Sequence, residues 1–357
     1  MRYINHLNGG LTDAQFEENP RQSTRNRNYY SPTIHVPSIQ LDYTINKNTT
    51  LNFTSSAILG SRNSVQFIAL STVADTVNNS LHTYNPRQVD IDHYNSYAQE
   101  LRMKHDFRLF STAGTLVSGI RYIHNNLVRE QLGKGTTGSD YDLTLTDPQW
   151  GRDLTFKTSN VSVFLENMVR ITEQLTATAG FRFENGNTKM RGFIKNYDPT
   201  ELPVNIAHKF TLFGAGLQYT SKKNLQVIAN IAQAYRPVIF ADIIPTTVFN
   251  KVDKHIKDAF GYNAEVGVRG KIKNYLSFDI TLFQLDYNNR NGNIVLTDGA
   301  GQTYFYRTNT GDSRSRGIES YIELQPIKWL TSYRSSWQLS IFTSTAFIDA
   351  RYKRGII

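Results

Sequence analysis

From Leu175 the chain reads LTATAGFRFE, and every second residue belongs to a different chemistry. Leu175, Ala177, Ala179, Phe181 and Phe183 fall on one side, with Thr176, Thr178, Gly180, Arg182 and Glu184 on the other. A two-residue period is the signature of a strand with unlike faces, since successive side chains point to opposite sides of a sheet. The pattern recurs. YNAEVGVRG sets Ala264, Val266 and Val268 against Asn263, Glu265, Gly267 and Arg269, and LSFDITL sets Leu276, Phe278, Ile280 and Leu282 against Ser277, Asp279 and Thr281. RGIESYIEL and WQLSIFTSTAF repeat it. Hydrophobic residues make up only 39% and charged residues 19%. Soluble globular chains carry about 45–50% and about 25%. Too few Leu and Ile remain for the core of an α/β enzyme, whereas 20 Tyr and 20 Phe suit strands with one apolar face.

The connections narrow the choice. Twelve strands are expected near 33–46, 51–67, 94–108, 114–127, 154–170, 175–189, 207–220, 224–236, 258–270, 275–288, 303–326 and 336–350. Their links alternate. Short ones are KNTT, LFSTA, ITEQ, SKKN, KIKN and PIKW; long ones span 68–93, 128–153, 190–206, 237–257 and 289–302. Long structureless loops are uncommon in compact soluble domains. Tight turns at one end and long loops at the other are the plan of an outer-membrane barrel. The expected fold is therefore an all-β, transmembrane, antiparallel up-and-down barrel, with residues 1–357 as one architectural unit. No run of about 18 apolar residues offers a transmembrane helix, and MRYINHLNGG has no continuous apolar core of a signal peptide.

The net charge is +9 and there are no cysteines. The first admits nucleic acid, an anionic membrane surface or an anionic ligand; no nucleic-acid motif accompanies it, so nucleic acid is not an expected partner. The second removes disulfides, thiolate metal sites and Cys nucleophiles. His35, His82, His93 and His105 lack metal-ligand spacing. Ser64, Asp92 and His93 lack the context of a catalytic triad, and GKGTTGSD lacks the ending of a phosphate loop. No catalytic residue, metal site or resident cofactor is expected.

Seven segments, in series, carry a resemblance. They are GGLTDAQFEENPRQSTRNRN (Gly9–Asn28), RQVDIDHYNSYAQELRMKHDF (Arg87–Phe107), GIRYIHN (Gly119–Asn125), FLENMVRITEQLTATAGFRFE (Phe164–Glu184), NIAQAYRPVIFADI (Asn230–Ile243), EVGVRGKIKNYLSFDITLFQLDYNNR (Glu265–Arg290) and SRGIESYIEL (Ser315–Leu324). Together they resemble TonB-dependent outer-membrane receptors, the ferric dicitrate branch in particular. The resemblance implies a 22-stranded barrel in the outer membrane of a Gram-negative bacterium, an N-terminal plug, and uptake of a ferric chelate or siderophore driven by the TonB complex. Iron is expected only inside the transported chelate. Outer-membrane lipid and lipopolysaccharide are the expected surroundings.

The sequence departs from that pattern in having about twelve strands, no plug and no aromatic-terminated last strand, so a barrel fragment is expected, beginning in an extracellular loop. Alternatives are a same-family receptor for cobalamin or a glycan, a self-contained twelve-stranded porin or outer-membrane enzyme, and a soluble sandwich with long loops.

A citrate complex is rich in carboxylate oxygens, which the guanidinium fork matches bidentately. The candidate ligand residues are accordingly Arg87, Arg121, Arg152 and Arg236, with Gln88 as a neutral partner. Arg87 ends one long loop, Arg152 lies late in another, Arg236 enters a third, and Arg121 is expected to approach an extracellular end. Arg21, Arg25 and Arg27 are expected on the surface that meets anionic cargo.

Overall fold

The computed structural model describes residues 2–5, 10–25, 27–110, 112–138, 140–202, 204–247, 249–331 and 336–355. Gly9 and Asn26 of the first motif, Ser111 of one predicted turn and Ser139 of GKGTTGSD lie outside them. The described strands are β1 (Tyr3–Asn5), β2 (Asn28–His35), β3 (Ser38–Asn46), β4 (Thr49–Gln66), β5 (Gln88–Leu109), β6 (Thr112–Lys134), β7 (Arg152–Arg170), β8 (Leu175–Ile194), β9 (Val204–Thr220), β10 (Gln226–Arg236), β11 (Asn250–Val252), β12 (Ala259–Ile272), β13 (Leu276–Thr297), β14 (Thr303–Leu324) and β15 (Ile341–Gly355). Among the described residues, three short α-helices, α1 (Asp13–Glu18), α2 (Phe240–Ile243) and α3 (Pro326–Thr331), and one 3-10 turn (Pro199–Glu201) lie in connections.

All the strands belong to one sheet, and β4 to β10 and β12 to β15 each pair antiparallel with the next long strand. Among the described residues nothing pairs β2 or β3 with β15. The self-contained closed twelve-strand barrel is therefore not what these strands form.

Each of the twelve expected strands is present, but β5 starts earlier, at Gln88, β6 runs on to Lys134, β15 is shifted to Ile341–Gly355, and three further places differ in kind. The strand expected at 33–46 is β2 and β3, which pair with β4 in one continuous register and part at Val36–Pro37. Pro37 has no N–H for the ladder. The loop expected at 289–302 is mostly a hairpin: after a bulge near Asn289, β13 and β14 stay paired up to Thr297 and Thr303. That hairpin stands above the apolar band, so alternation no longer marks it. The PIKW turn is helix α3, where Pro326 suits the first helical position.

Tight turns define a lower end and long connections an upper end. Polarity inverts between them. Along β8 one face reads Leu175, Ala177, Ala179, Phe181 and Phe183, then Asn185, Asn187, Lys189 and Arg191. The opposite face runs Thr176, Thr178, Arg182, Glu184 and Thr188, then buried Met190 and Ile194. On β7 the first face is Val161, Val163 and Leu165 below, with Lys157, Thr155 and Asp153 above; the second is Asn160 and Ser162 below, with buried Phe156 and Leu154 above. The first face is apolar where lipid would meet it and polar above, so it is the outer face. The second, polar below and apolar above, is the inner face.

The boundary steps across neighbouring strands. It lies between Leu59 and Ser61, Tyr97 and Asn95, Tyr122 and His124, Phe183 and Asn185, Phe213 and Thr211, Leu282 and Gln284, Ile318 and Arg316, and Phe347 and Asp349. Oblique stepping follows from strand tilt in a membrane barrel.

At the upper end the inner face is covered by residues 237–258. Val238, Ile243, Ile244, Val252 and Ile256 of this strap pack with Leu127, Leu154, Phe156, Met190, Ile194, Val204 and Ile206. Within the strap, β11 adds in parallel to the upper edge of β14. A second, smaller cluster lies on the outer face, where Tyr141, Leu143, Leu145 and Trp150 of the 135–151 connection cover Tyr29, Val65 and Val89. Gly192 carries φ 133°, and a Cβ there would collide with the Asp153 carbonyl; the β7–β8 hairpin needs glycine at that point.

A candidate anion site at the inner mouth

The arginines that come together are not quite those expected. Arg62 of β4, Asp92 and Tyr94 of β5, Arg129 and Gln131 of β6 and Arg152 of β7 share the inner face just below the strap. Asp92 is 1% exposed and pairs with Arg62. Its Oδ1 lies 3.2 Å from Arg129 Nε and accepts from Gln131 Nε2 at 3.4 Å. The Tyr94 hydroxyl donates to Oδ2 at 3.4 Å. Arg152 Nη1 donates to Gln131 Oε1 at 3.1 Å and Nη2 to the Pro245 carbonyl of the strap at 3.0 Å. No carboxylate pairs with Arg152 among the described residues, and its Nε is buried without a hydrogen bond there. Burial first, and then the Arg129 charge, pull Arg152 below the ordinary arginine value, with Asp90 opposing. Arg62 and Arg129 thus converge on the buried Asp92, Arg152 joins them through Gln131, and Asp90 is a second carboxylate within reach, which leaves three guanidiniums to two carboxylates.

The other expected residues stand apart. Arg87 is 3% exposed; its Nη1 donates to Asp75 Oδ2 at 2.8 Å, and its guanidinium stacks over Tyr84 and Phe67. It braces the 67–87 connection. Gln88 Nε2 donates to Asp90 Oδ2 at 2.9 Å, and Asp90 Oδ1 accepts from the Leu132 amide. Arg236 Nη2 donates to Asp242 Oδ1 at 3.0 Å, tying the start of the strap to α2.

Arg121 does not approach the extracellular end. β6 continues to Lys134, which leaves Arg121 in the lower half beside Glu100, with Nε to Oε2 at 3.6 Å. Arg25 is likewise turned inward, 2% exposed, with Nη1 donating to the Val73 carbonyl at 2.8 Å.

Arg62 and Arg129 escaped the sequence reading, although one was within reach. Counting equal steps outward from the tight turn after Leu109 pairs Asp92 with Arg129. Arg62 meets Asp92 across a long connection, where no such count is available.

The strap is held by polar contacts, those at His208 and Asp258 buried and those at Arg307 and Thr308 more open. His208 Nδ1 donates to Asp258 Oδ2 at 2.6 Å, and its Nε2 lies 2.7 Å from Thr188 Oγ1. Asp258 Oδ1 accepts from the Val238 amide at 2.7 Å. Arg307 Nη1 donates to the Ala241 carbonyl at 2.7 Å, and Thr308 Oγ1 to Asp253 Oδ2 at 2.6 Å.

A tilted antiparallel sheet with an outer apolar band and an arginine-lined inner mouth defines an outer-membrane barrel of the receptor class. The family described as TonB dependent receptor-like, beta-barrel matches residues 2–356, and the chain belongs to it. Among solved structures, the ferric citrate transporter FecA in its unliganded form superposes with a TM-score of 0.70 at 17% identity, over 97% of this chain and 47% of that one. The copper transporter OprC gives 0.64 at 13% identity, over 90% and 47%. The ferric-catecholate import receptor Fiu from K12 E. coli, in its closed form, gives 0.61 at 15% identity, over 99% and 54%. The chain spans about half the length of these structures, and at such identities the likeness is one of fold. No curated protein matches the sequence. No helix among the described residues is long and apolar enough to cross a membrane.

Proposed function

We propose that this chain forms barrel wall of an outer-membrane receptor that takes up an anionic ferric chelate, with ferric dicitrate as the first cargo to test. The observation that carries the reading is the convergence of Arg62, Arg129 and Arg152 on the inner face with one buried carboxylate among them. Carboxylate-rich cargo supplies the oxygens that this surplus of guanidinium donors lacks. Arg152 is the pivotal residue, because a ligand oxygen that engages it replaces the Pro245 carbonyl and so reaches the strap directly. In this reading the TonB complex supplies the energy and a plug outside these residues blocks the lumen. Iron travels inside the chelate, so the protein needs no metal ligands of its own.

Titration of the purified receptor with ferric dicitrate, by calorimetry or intrinsic fluorescence, tests this. Saturable binding is expected. Arg152→Gln should weaken it about tenfold, near 1.4 kcal/mol, the size of one charge-assisted hydrogen bond. Absence of saturable binding would remove ferric dicitrate as cargo. Unchanged affinity in Arg152→Gln would remove the arginine site.

A further inference from the structure

The outer face is not equally charged along its upper boundary. Across β13 to β15 the residues directly above Leu282, Ile318 and Phe347 are Gln284 and Asp286, Arg316 and Arg314, and Asp349, Arg351 and Lys353. Asp286 is 1% exposed, and Arg314 Nε donates to its two oxygens at 3.0 and 3.1 Å while Lys353 closes on it from β15. Arg316 is exposed, donates Nε to the neutral Gln284 Oε1 at 2.8 Å, and pairs with no carboxylate among the described residues. Arg351 pairs with Asp349 and is largely exposed. Four cations thus face two carboxylates in one small patch.

A groove of about 850 Å³ reaches this patch from below. Its floor is made of small residues, Ala177, Ala179, Ala215, Ala229 and Ala264, and Leu282, Gln284 and Arg316 line it as well. The alanines all belong to the outer, lipid-side face. An apolar trough ending in surplus positive charge at the bilayer boundary has the shape and charge order of a phosphorylated lipid, acyl chain below and phosphate above.

We propose that β8 to β15 carry an outer-face site for a phosphate-bearing lipid of the outer leaflet. Arg316 and Arg314 hold the phosphate, Asp286 positions Arg314 and Lys353, and the alanine trough holds a chain. The inference rests on the reading that this sheet spans the outer membrane, but not on any cargo. Basic side chains near a membrane surface attract anionic lipid.

The test is native mass spectrometry of the purified protein in detergent, without cargo. The probes are dipalmitoyl phosphatidic acid, phosphatidylcholine with the same chains, and inorganic phosphate as competitor. Retention of phosphatidic acid over phosphatidylcholine is expected. It should fall about tenfold or more in the double variant R314Q/R316Q, fall in R316Q alone, and survive R316K and the control K209Q. R316Q removes a single bond to Gln284, so it serves where the double variant does not fold. Equal retention of the two lipids, or unchanged retention in R316Q, would overturn the site. Displacement by inorganic phosphate would reassign it to a free anion. Because cargo is absent, failure here leaves the titration of the inner arginines intact, and failure there leaves this result intact.

Discussion

The lower and upper halves of these strands obey opposite rules. In the lower half the outer face is apolar, as at Phe213 and Leu217, and the inner face is small or polar, as at Gly214, Gly216 and Gln218. In the upper half of the same β9 strand the outer face is Asn205 and Lys209, and the inner face is buried Val204 and Ile206. Side-chain alternation is the same throughout; what changes is the solvent on each side. Lipid outside and water inside give way to water outside and a folded strap inside. Alternation alone allows a strand to slip by two residues, about 7 Å, without exchanging its faces. The inversion removes that freedom, because such a slip would draw Lys209 or Lys189 toward lipid or push Met190 out of its core.

The largest effect should come from the upper core. Phe156 is fully buried beneath the strap and touches Phe240, with ring centroids 4.7 Å apart. Phe156→Ala should cost about 3–5 kcal/mol of local stability and expose residues 237–258 to protease, read by limited proteolysis of the protein in detergent. If the strap stays resistant, the upper half has no core of its own and the comparison breaks.

Next in size is a charge in the lower outer band. Leu217→Arg should cost about 2–4 kcal/mol in lipid vesicles, the penalty for Arg near a bilayer midplane. Lys209→Leu, on the same face of the same strand but above the boundary, should change stability by less than about 0.5 kcal/mol. Urea unfolding in vesicles measures both, and similar costs would mean that the boundary has been drawn at the wrong height.

A smaller effect belongs to Tyr197, in the turn under the strap. Burial, followed by Glu201, pushes its phenol up to about 12 from an ordinary 10. The neutral phenol's contribution is complete below the ordinary value and is lost as pH rises through the raised one. Phenolate absorbance should therefore show a late-titrating fraction, and Tyr197→Phe should shrink that fraction by one tyrosine. The hydroxyl donates to Glu201 Oε2 at 3.3 Å, so the same substitution should cost no more than about 1 kcal/mol.

The lower half was legible in the sequence because lipid imposes alternation on every strand, and tight turns such as ITEQ and KIKN fix the pairing on either side of them. From ITEQ, equal steps place Ser162 opposite Glu184 and Arg152 opposite Ile194. The upper half was less legible. Its strand extensions at 128–134 and 289–297 have polar or mixed outer faces, so the pattern that marks a strand in lipid is missing there. The strap's apolar residues Val238, Ile243, Ile244, Val252 and Ile256 look like scattered loop hydrophobics until the sheet beneath them is in place. The arginine site divides in the same way. Arg152 was named by its loop position, Arg129 was missed although counting from a turn reaches it, and Arg62 emerges only through the folded register.

β14 has a single free edge beyond its pairing with β13, and two partners occupy it. β15 takes the run from Leu324 up to Gly311, and β11 takes Phe305 to Arg307. A carbonyl or amide on that edge can serve one neighbour at a time, so any antiparallel pairing that climbs from Gly311 as far as Arg307 must come at the expense of β11. The rim is thus a contested edge: the strap can leave without baring a hydrogen-bonding row only if another strand is ready to take its place.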